Sequence, residues 1–212
     1  LKYLLEKTKK VNPNSTVSIL DSDGEDNPKK LIHLINFSKK EDDFFIFANR
    51  AHRTESFFLK FLNKIRLYFT YILTGYYINF GNFSSFPLKI LKILLSNDNL
   101  YIAFSSGVLK NYKNIKLLDI EKNRRFSGYS KVNINFLINH SIRIISVFYE
   151  RVFLRSLIIL FIILGILNES DSKYLYIYIF LILNIITFLY NKLSKPSSDV
   201  IKNIKNTKII KG

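Results

Sequence analysis

Cysteine, methionine and tryptophan are all absent from this chain of 212 residues. Without cysteine it has no disulfide framework, no thiolate metal site and no thiol nucleophile. Its three histidines, His33, His52 and His140, show no ligand spacing, and none is assigned chemistry; His140 reads as a packing residue. Methionine is missing even at position 1, and Leu1–Lys10 (LKYLLEKTKK) carries apolar residues at 1, 4 and 5, like an amphipathic helix cut mid-element. The expectation is a chain that begins inside a longer protein. Acidic residues are scarce as well: 16 Asp and Glu face 32 Lys and Arg, a formal charge of +16. That balance suits nucleic acid, but the cations are scattered and no zinc-finger, single-stranded RNA or helix-turn-helix pattern is visible. Nucleic acid is therefore not an expected partner. Many of the cations flank two strongly apolar segments, which points to a membrane surface.

The densest chemistry lies in Val17–Pro28 (VSILDSDGEDNP). Val17 and Ile19, with Leu20 beside them, predict a buried strand, and Asp21 and Asp23 fall at its carboxyl end. Side chains at i and i+2 point the same way on an extended chain, so these two carboxylates can converge on one hard cation. Open α/β sheets keep their ligand sites outside the carboxyl ends of the strands. The same cluster also suits a plain Asx-rich turn, since Asp is a common turn former. An EF-hand is excluded, because Gly24 comes too early and Ile32 stands where the bidentate Glu belongs. Asn27-Pro28 supplies an N-cap and a first helical residue for a helix over Pro28–Phe37.

Asp43–Ala48 predicts a second strand ending at Asn49-Arg50, and Glu55–Thr74 a long aromatic-rich helix stopped by Gly75. Tyr77–Phe86 reads as short and extended, Pro87–Leu95 as a short helix and Ile115–Glu121 as a strand. Asn123–Lys131 (NRRFSGYSK) is a polar loop holding Gly128 and several cations. Strands and helices in alternation predict an α/β fold. From Val132 the character changes. Asn133–Arg155 predicts a helix lying in the membrane interface, with Arg143, Glu150, Arg151 and Arg155 interspersed. Val152–Leu167 and Tyr174–Leu193 follow as nearly uncharged runs. At about 1.5 Å per residue the second reaches about 30 Å, enough to span; the first reaches about 24 Å, short unless Arg151 and Arg155 snorkel. A buried soluble helix is the alternative for each alone. In tandem, joined by the polar NESDSK, they predict a transmembrane hairpin. Cations at both flanks and acids in the loop place both ends in the cytoplasm. Lys202, Lys205, Lys208 and Lys211 give the tail after Pro196 a basic character suited to anionic lipid.

Four segments in this order resemble the membrane-associated family 2 glycosyltransferases of GT-A fold, the group containing dolichyl- and undecaprenyl-phosphate sugar synthases. LDSDGEDNPKKL resembles the family's metal-binding segment, and FANRAHRTES its next strand and Arg-containing loop. FGNFSSFP resembles a segment at the acceptor side, and RRFSGYSK its Arg-x-x-Gly-x-Ser-Lys loop, followed by an interfacial helix and a hairpin. The resemblance runs from about Val17 to Leu167. It implies the carboxyl-terminal part of a GT-A, Rossmann-like domain over residues 1–131, an interfacial helix over 132–151, a hairpin over 152–193 and a basic tail over 194–212. Asp21, Asp23 and Glu25 would then hold Mg²⁺ or Mn²⁺, with Glu25 where the family often has Gln. Arg50 and Arg53 would face the diphosphate or the acceptor phosphate; a surface ion pair with Glu55 is the alternative. Arg125, Ser130 and Lys131, with Gly128 allowing close backbone approach, would clamp anionic phosphates; a solvated basic turn is the alternative.

Two departures from the family matter. Its nucleotide-binding opening strand and loop have no counterpart in this chain. Where the polyprenyl-phosphate enzymes commonly have Asp in a Gly-Asp-Phe segment, this chain has Asn82, which cannot act as a general base. The resemblance implies an inverting transfer of sugar from a nucleotide-sugar donor to a lipid acceptor such as polyprenyl phosphate. It further implies a multi-pass protein of a bacterial inner membrane with a cytoplasmic catalytic domain, and admits a homo-oligomer. The rival readings are a non-catalytic membrane-anchored assembly module that keeps the fold, and a basic protein binding anionic lipid or nucleic acid.

Overall fold

The computed structural model describes residues 12, 14–21, 26, 28–50, 57–95, 98–120, 133–166 and 172–195. β1 (Thr16–Ile19) is followed by α1 (Pro28–Lys40) and β2 (Phe45–Arg50). Pro28 opens α1, where its missing N–H costs nothing, and Lys39 and Lys40 close it against the negative end of the helix dipole. α2 (Phe57–Thr74), β3 (Ser84–Pro87), α3 (Leu88–Leu95), α4 (Asn99–Ile102), α5 (Phe104–Asn111) and β4 (Ile115–Ile120) come next.

The four strands form one mixed sheet in the order β1-β3-β2-β4. β3 runs antiparallel to both neighbours, pairing Ile19 with Ser84 on one side and Phe47 with Ser84 on the other. β2 and β4 run parallel, from Phe45 beside Ile115 to Arg50 beside Ile120. The fold is therefore α/β. β2 is central, and Phe45, Ile46, Phe47 and Ala48 are all fully buried, the continuous apolar run of a strand covered on both faces. Alternation sends Phe45 and Phe47 to one face with Phe86, Ile90, Leu94 and Val108, and Ile46 and Ala48 to the other with Leu34, Phe83 and Ile120. Phe45 and Phe86 stack with ring centroids 4.3 Å apart.

Several boundaries differ from the sequence expectation. β1 is an edge strand and only half-buried, not buried. α1 runs three residues past Phe37, and β2 begins at Phe45 and reaches Arg50. Of Tyr77–Phe86 only Ser84–Phe86 are strand, and Pro87 ends β3 instead of opening a helix. α4 and α5 were not foreseen. They pack so closely that a Cβ on Gly107 would lie 2.8 Å from the Leu100 nitrogen.

The expected single helix Asn133–Arg155 is two. α6 (Ile134–Val147) starts at Asn133, whose side chain accepts from the Phe136 N–H at 2.8 Å, and α7 (Tyr149–Ile166) begins after Phe148. Phe148 breaks the helix because its ring is buried with Ile78 and Ile102, 4.9 Å from the ring of Tyr76. α8 (Lys173–Leu193) is long and apolar enough to cross a membrane. α7 holds Glu150, Arg151 and Arg155 in its first two turns. Its apolar remainder, Ser156–Ile166, reaches only about 16 Å, short of the roughly 30 Å hydrocarbon core. α7 and α8 pack on one another through Phe153 and Phe180, ring centroids 5.8 Å apart, and through Asn184, which donates to the Ser156 hydroxyl at 3.0 Å.

Polarity in α2, α7 and α8 is inverted relative to the sheet region. α2 buries Asn63, Arg66, Thr70 and Thr74, together with Leu67 and Leu73, and exposes Phe58, Phe61, Ile65, Tyr68, Phe69 and Ile72. α7 buries Val152 and Ser156, and α8 buries Thr187 and Asn191 as its only buried residues, while most isoleucines, leucines and phenylalanines of both face outward.

Candidate functional site

The strand order brings Asp21, Asn49-Arg50 and Asn82, from three of the singled-out segments, to one edge of the sheet. β1 and β2 run the same way and β3 runs against them. The carboxyl ends of β1 and β2 and the amino end of β3 therefore meet at the same edge. Asp21 follows β1, Asn49-Arg50 ends β2, and Asn82 stands two residues before β3. β4, parallel to β2, finishes at Ile120 beside Arg50 at this same edge.

Asp21 is half-buried, and its backbone N–H donates to Asp26 Oδ2 at 2.9 Å. The Asp26 carboxylate is itself 3 % exposed. It ties residue 26 to the end of β1, which gives one member of the acidic cluster a structural role. Asn82 is exposed, and its carbonyl accepts from the Ser84 hydroxyl at 2.9 Å. The backbone of Arg50 is in the sheet; its side chain lies outside the described residues, as do Asp23, Glu25, Arg53, Arg125, Gly128, Ser130 and Lys131. Leu1–Lys10, most of the loop between the apolar runs and the tail beyond Lys195 also lie outside them.

Sequence reasoning missed a carboxylate at this edge. Asp119, the penultimate residue of β4, accepts a hydrogen bond at 2.7 Å from the side chain of Asn49, the penultimate residue of β2. A polar residue closing an otherwise apolar-patterned strand (IKLLDI) was the available signal. Among the described residues no group of three or more His, Cys, Asp or Glu stands close enough to hold a metal ion.

The opposite edge is electrostatically closed. Lys89 reaches Asp42 at 3.0 Å and Asp43 at 2.8 Å, and Lys116 reaches Glu41 at 2.8 Å. Hydrogen bonds to Asp43 and then Asp42 raise the Lys89 pKa. Burial, with the Asp43 charge, raises that of Tyr112, whose hydroxyl donates to the Asp43 carbonyl at 2.7 Å.

The arginines of the carboxyl-terminal helices each contact a neighbouring segment. Arg143 donates to the Ile102 carbonyl at 2.7 Å, at the end of α4. Arg155 donates to the Ile72 carbonyl at 3.1 Å, in the last turn of α2. The Arg151 guanidinium lies over the ring of Tyr76 at 4.9 Å. His140 stacks on Phe136, centroids 5.9 Å apart, in keeping with a packing role. Between α2, α6 and α8 lies an apolar cleft of about 510 Å³, walled by Leu62, Phe69, Ile138, Ile142 and Ile182, with Arg66 in its lining. No family model, no curated protein and no solved structure matches the chain.

Proposed function

We propose that this chain is part of a membrane-bound transferase that moves a sugar from a nucleotide-sugar donor to a lipid phosphate such as polyprenyl phosphate, with inversion. One observation carries the reading. Asp21, the Asn49-Arg50 end of β2 and Asn82, from segments far apart in sequence, lie at the carboxyl edge of one sheet, and α/β folds bind ligands at such an edge. At the opposite edge Lys89 and Lys116 are paired with Asp42, Asp43 and Glu41.

Asn82 narrows the acceptor. An amide takes no proton, so an acceptor that must lose one, such as a sugar hydroxyl, is badly served here. A phosphate monoester is largely ionised near neutrality and needs no base. Its oxygen attacks the anomeric carbon as the bond to the nucleoside diphosphate breaks. Arg50, Arg53, Arg125, Ser130 and Lys131 bind and orient the phosphates, and Gly128 lets the backbone approach them. The predominantly apolar walls of the cleft suit a lipid chain, and Arg66 in its lining suits an anionic head.

Asp21 fits one place in a metal site: a half-buried carboxylate at the binding edge, its backbone fixed by Asp26. With Asp23 and Glu25 the donors are all hard oxygens, the set that Mg²⁺ or Mn²⁺ takes. The ion would neutralise charge developing on the departing diphosphate.

The test is transfer of labelled sugar from a panel of nucleotide sugars to polyprenyl phosphate by the full-length protein in native membranes, with Mg²⁺ or Mn²⁺. Asp21→Asn is expected to abolish transfer while leaving the protein membrane-bound. Wild-type rates in that variant at limiting metal would reduce the acidic cluster to a turn. Absence of transfer from every donor would favour a non-catalytic anchoring module.

A further inference from the structure

We infer that α2 is a membrane-embedded helix, lying in the bilayer interface with its aromatic face among the acyl chains, beside α7 and α8. Sequence reasoning assigned this segment to the soluble domain, and the inference needs only membrane association, not the transfer reaction. It rests on the inversion of the helix. Asn63, Arg66, Thr70 and Thr74 recur at helical spacing and face the protein, while Phe58, Phe61, Ile65, Phe69 and Ile72 face outward. A helix in water turns its apolar stripe inward; the reverse minimises free energy only where the surroundings are apolar.

Three further observations name lipid as that surrounding. The two buried threonine hydroxyls and Arg66 Nε are bonded within the helix itself, as suits hydrocarbon. Thr70 donates to the Leu67 carbonyl at 2.9 Å, Thr74 to the Thr70 carbonyl at 2.7 Å, and Arg66 Nε to Asn63 Oδ1 at 2.9 Å. The outward face is also continuous with that of α7, because Arg155 joins the two helices at Ile72, and α8 prolongs it with Ile179, Ile182, Ile185 and Leu189. A second copy of the chain covers one side of such a surface; acyl chains cover all of it. Finally, Lys60 and Lys64 stand one turn apart on a single flank of the aromatic face, and Tyr68 and Tyr71 are exposed near them. Lysines and tyrosines at the border of an apolar face belong at headgroup level, with the helix roughly 5–10 Å deep in the interface.

This placement bears on the site. Only residues 51–56 separate the end of β2 from the start of α2, a tether of at most about 25 Å when fully extended. With α2 in the interface, the carboxyl edge of the sheet is moored at the membrane surface, within reach of a lipid phosphate.

The absence of tryptophan from these 212 residues simplifies the test, because each introduced indole is read against the same unsubstituted background. Phe61→Trp reports on α2, Ile185→Trp on α8 and Ile32→Trp on α1; all three positions are exposed, so the packing is undisturbed. Each full-length variant is reconstituted into phosphatidylcholine–phosphatidylglycerol vesicles with or without bromine on the acyl chains. Emission of the Phe61→Trp protein is expected to be lost to brominated chains as strongly as that of the Ile185→Trp protein, while the Ile32→Trp protein keeps its emission. If Ile185→Trp is quenched and Phe61→Trp is not, the face is covered by protein, a second copy or another segment, and the inference is overturned. If none of the three is quenched, the chain is not in the bilayer, which overturns the inference together with the membrane part of the proposed function. Loss of sugar transfer alone would leave the quenching pattern unchanged.

Discussion

Replacing Gly75 by alanine should uncouple the end of α2 from α7. Gly75 has φ +79° and donates its N–H to the Tyr71 carbonyl at 2.7 Å, the left-handed cap that ends the helix. An L side chain in that region costs roughly 1–2 kcal/mol. The added Cβ would also lie 2.7 Å from Nη2 of Arg155. The guanidinium is the far end of a flexible side chain and can move, but moving it releases the Ile72 carbonyl that it holds at 3.1 Å. A cation at a helix carboxyl terminus is worth about 0.3–1 kcal/mol. Together these give a loss of about 1.3–3 kcal/mol. Urea unfolding of the full-length protein in mild detergent measures it, and a double-mutant cycle divides it. With Arg155→Ala already present, Gly75→Ala should cost only the backbone strain, about 0.3–1 kcal/mol less than in the wild type. A Gly75→Ala loss within about 0.5 kcal/mol would refute the strain argument. Identical losses in the two backgrounds would refute the contact with Arg155.

Other predictions concern packing and charge. Gly107→Ala should destabilise by about 1–3 kcal/mol, read by thermal unfolding, because its Cβ would meet the Asn99–Leu100 backbone at 2.8–2.9 Å, which cannot swing aside. Asn191→Ala should cost about 1–3 kcal/mol: its buried side chain donates to the Ser146 carbonyl at 2.8 Å and to Asn99 at 3.2 Å. Limited proteolysis would then show α8 loosened from α4 and α6. Lys89→Gln should lower the unfolding midpoint equally at about pH 6 and about pH 9. The Lys89 pKa is raised in the folded state by Asp43 and Asp42, so its contribution is complete below the ordinary lysine pKa of about 10.4 and fades as pH climbs through the raised value. A gap that instead closes between pH 6 and 9 would assign the stabilisation to another group.

The strands flanking the site were legible because their apolar runs end in conspicuous polar residues, Asp21 after Ile19 and Asn49-Arg50 after Ala48. The insertion of β3 between β1 and β2 was not. Tyr77–Phe86 reads as extended, but nothing in SSFP says which strands it joins; its ladders are set by both neighbours. α4 and α5 were hidden by a stretch rich in Ser, Asn and Gly (NDNLYIAFSSGVLKN), whose small residues permit close packing but give no apolar stripe. Periodicity did find α2, yet it gives two faces without saying which turns inward, since that depends on the surrounding medium. Asp119 lacked a partner until the parallel pairing set Asn49 beside it. Asp26 could not be separated from its acidic neighbours until its bond to the Asp21 amide gave it a distinct role.

The position of β3 also imposes an order on biosynthesis. β1 and β2 leave the ribosome first, yet neither touches the other; both await a strand encoded after α2. During that interval two nascent edges are unzipped, and the aromatic helix is already outside the tunnel with no sheet to shelter it. Exposed strand edges and apolar faces are the species that aggregate. Insertion of that helix into lipid before β3 arrives would remove one of the two hazards at the moment it arises, so that membrane capture precedes closure of the sheet and does not follow it.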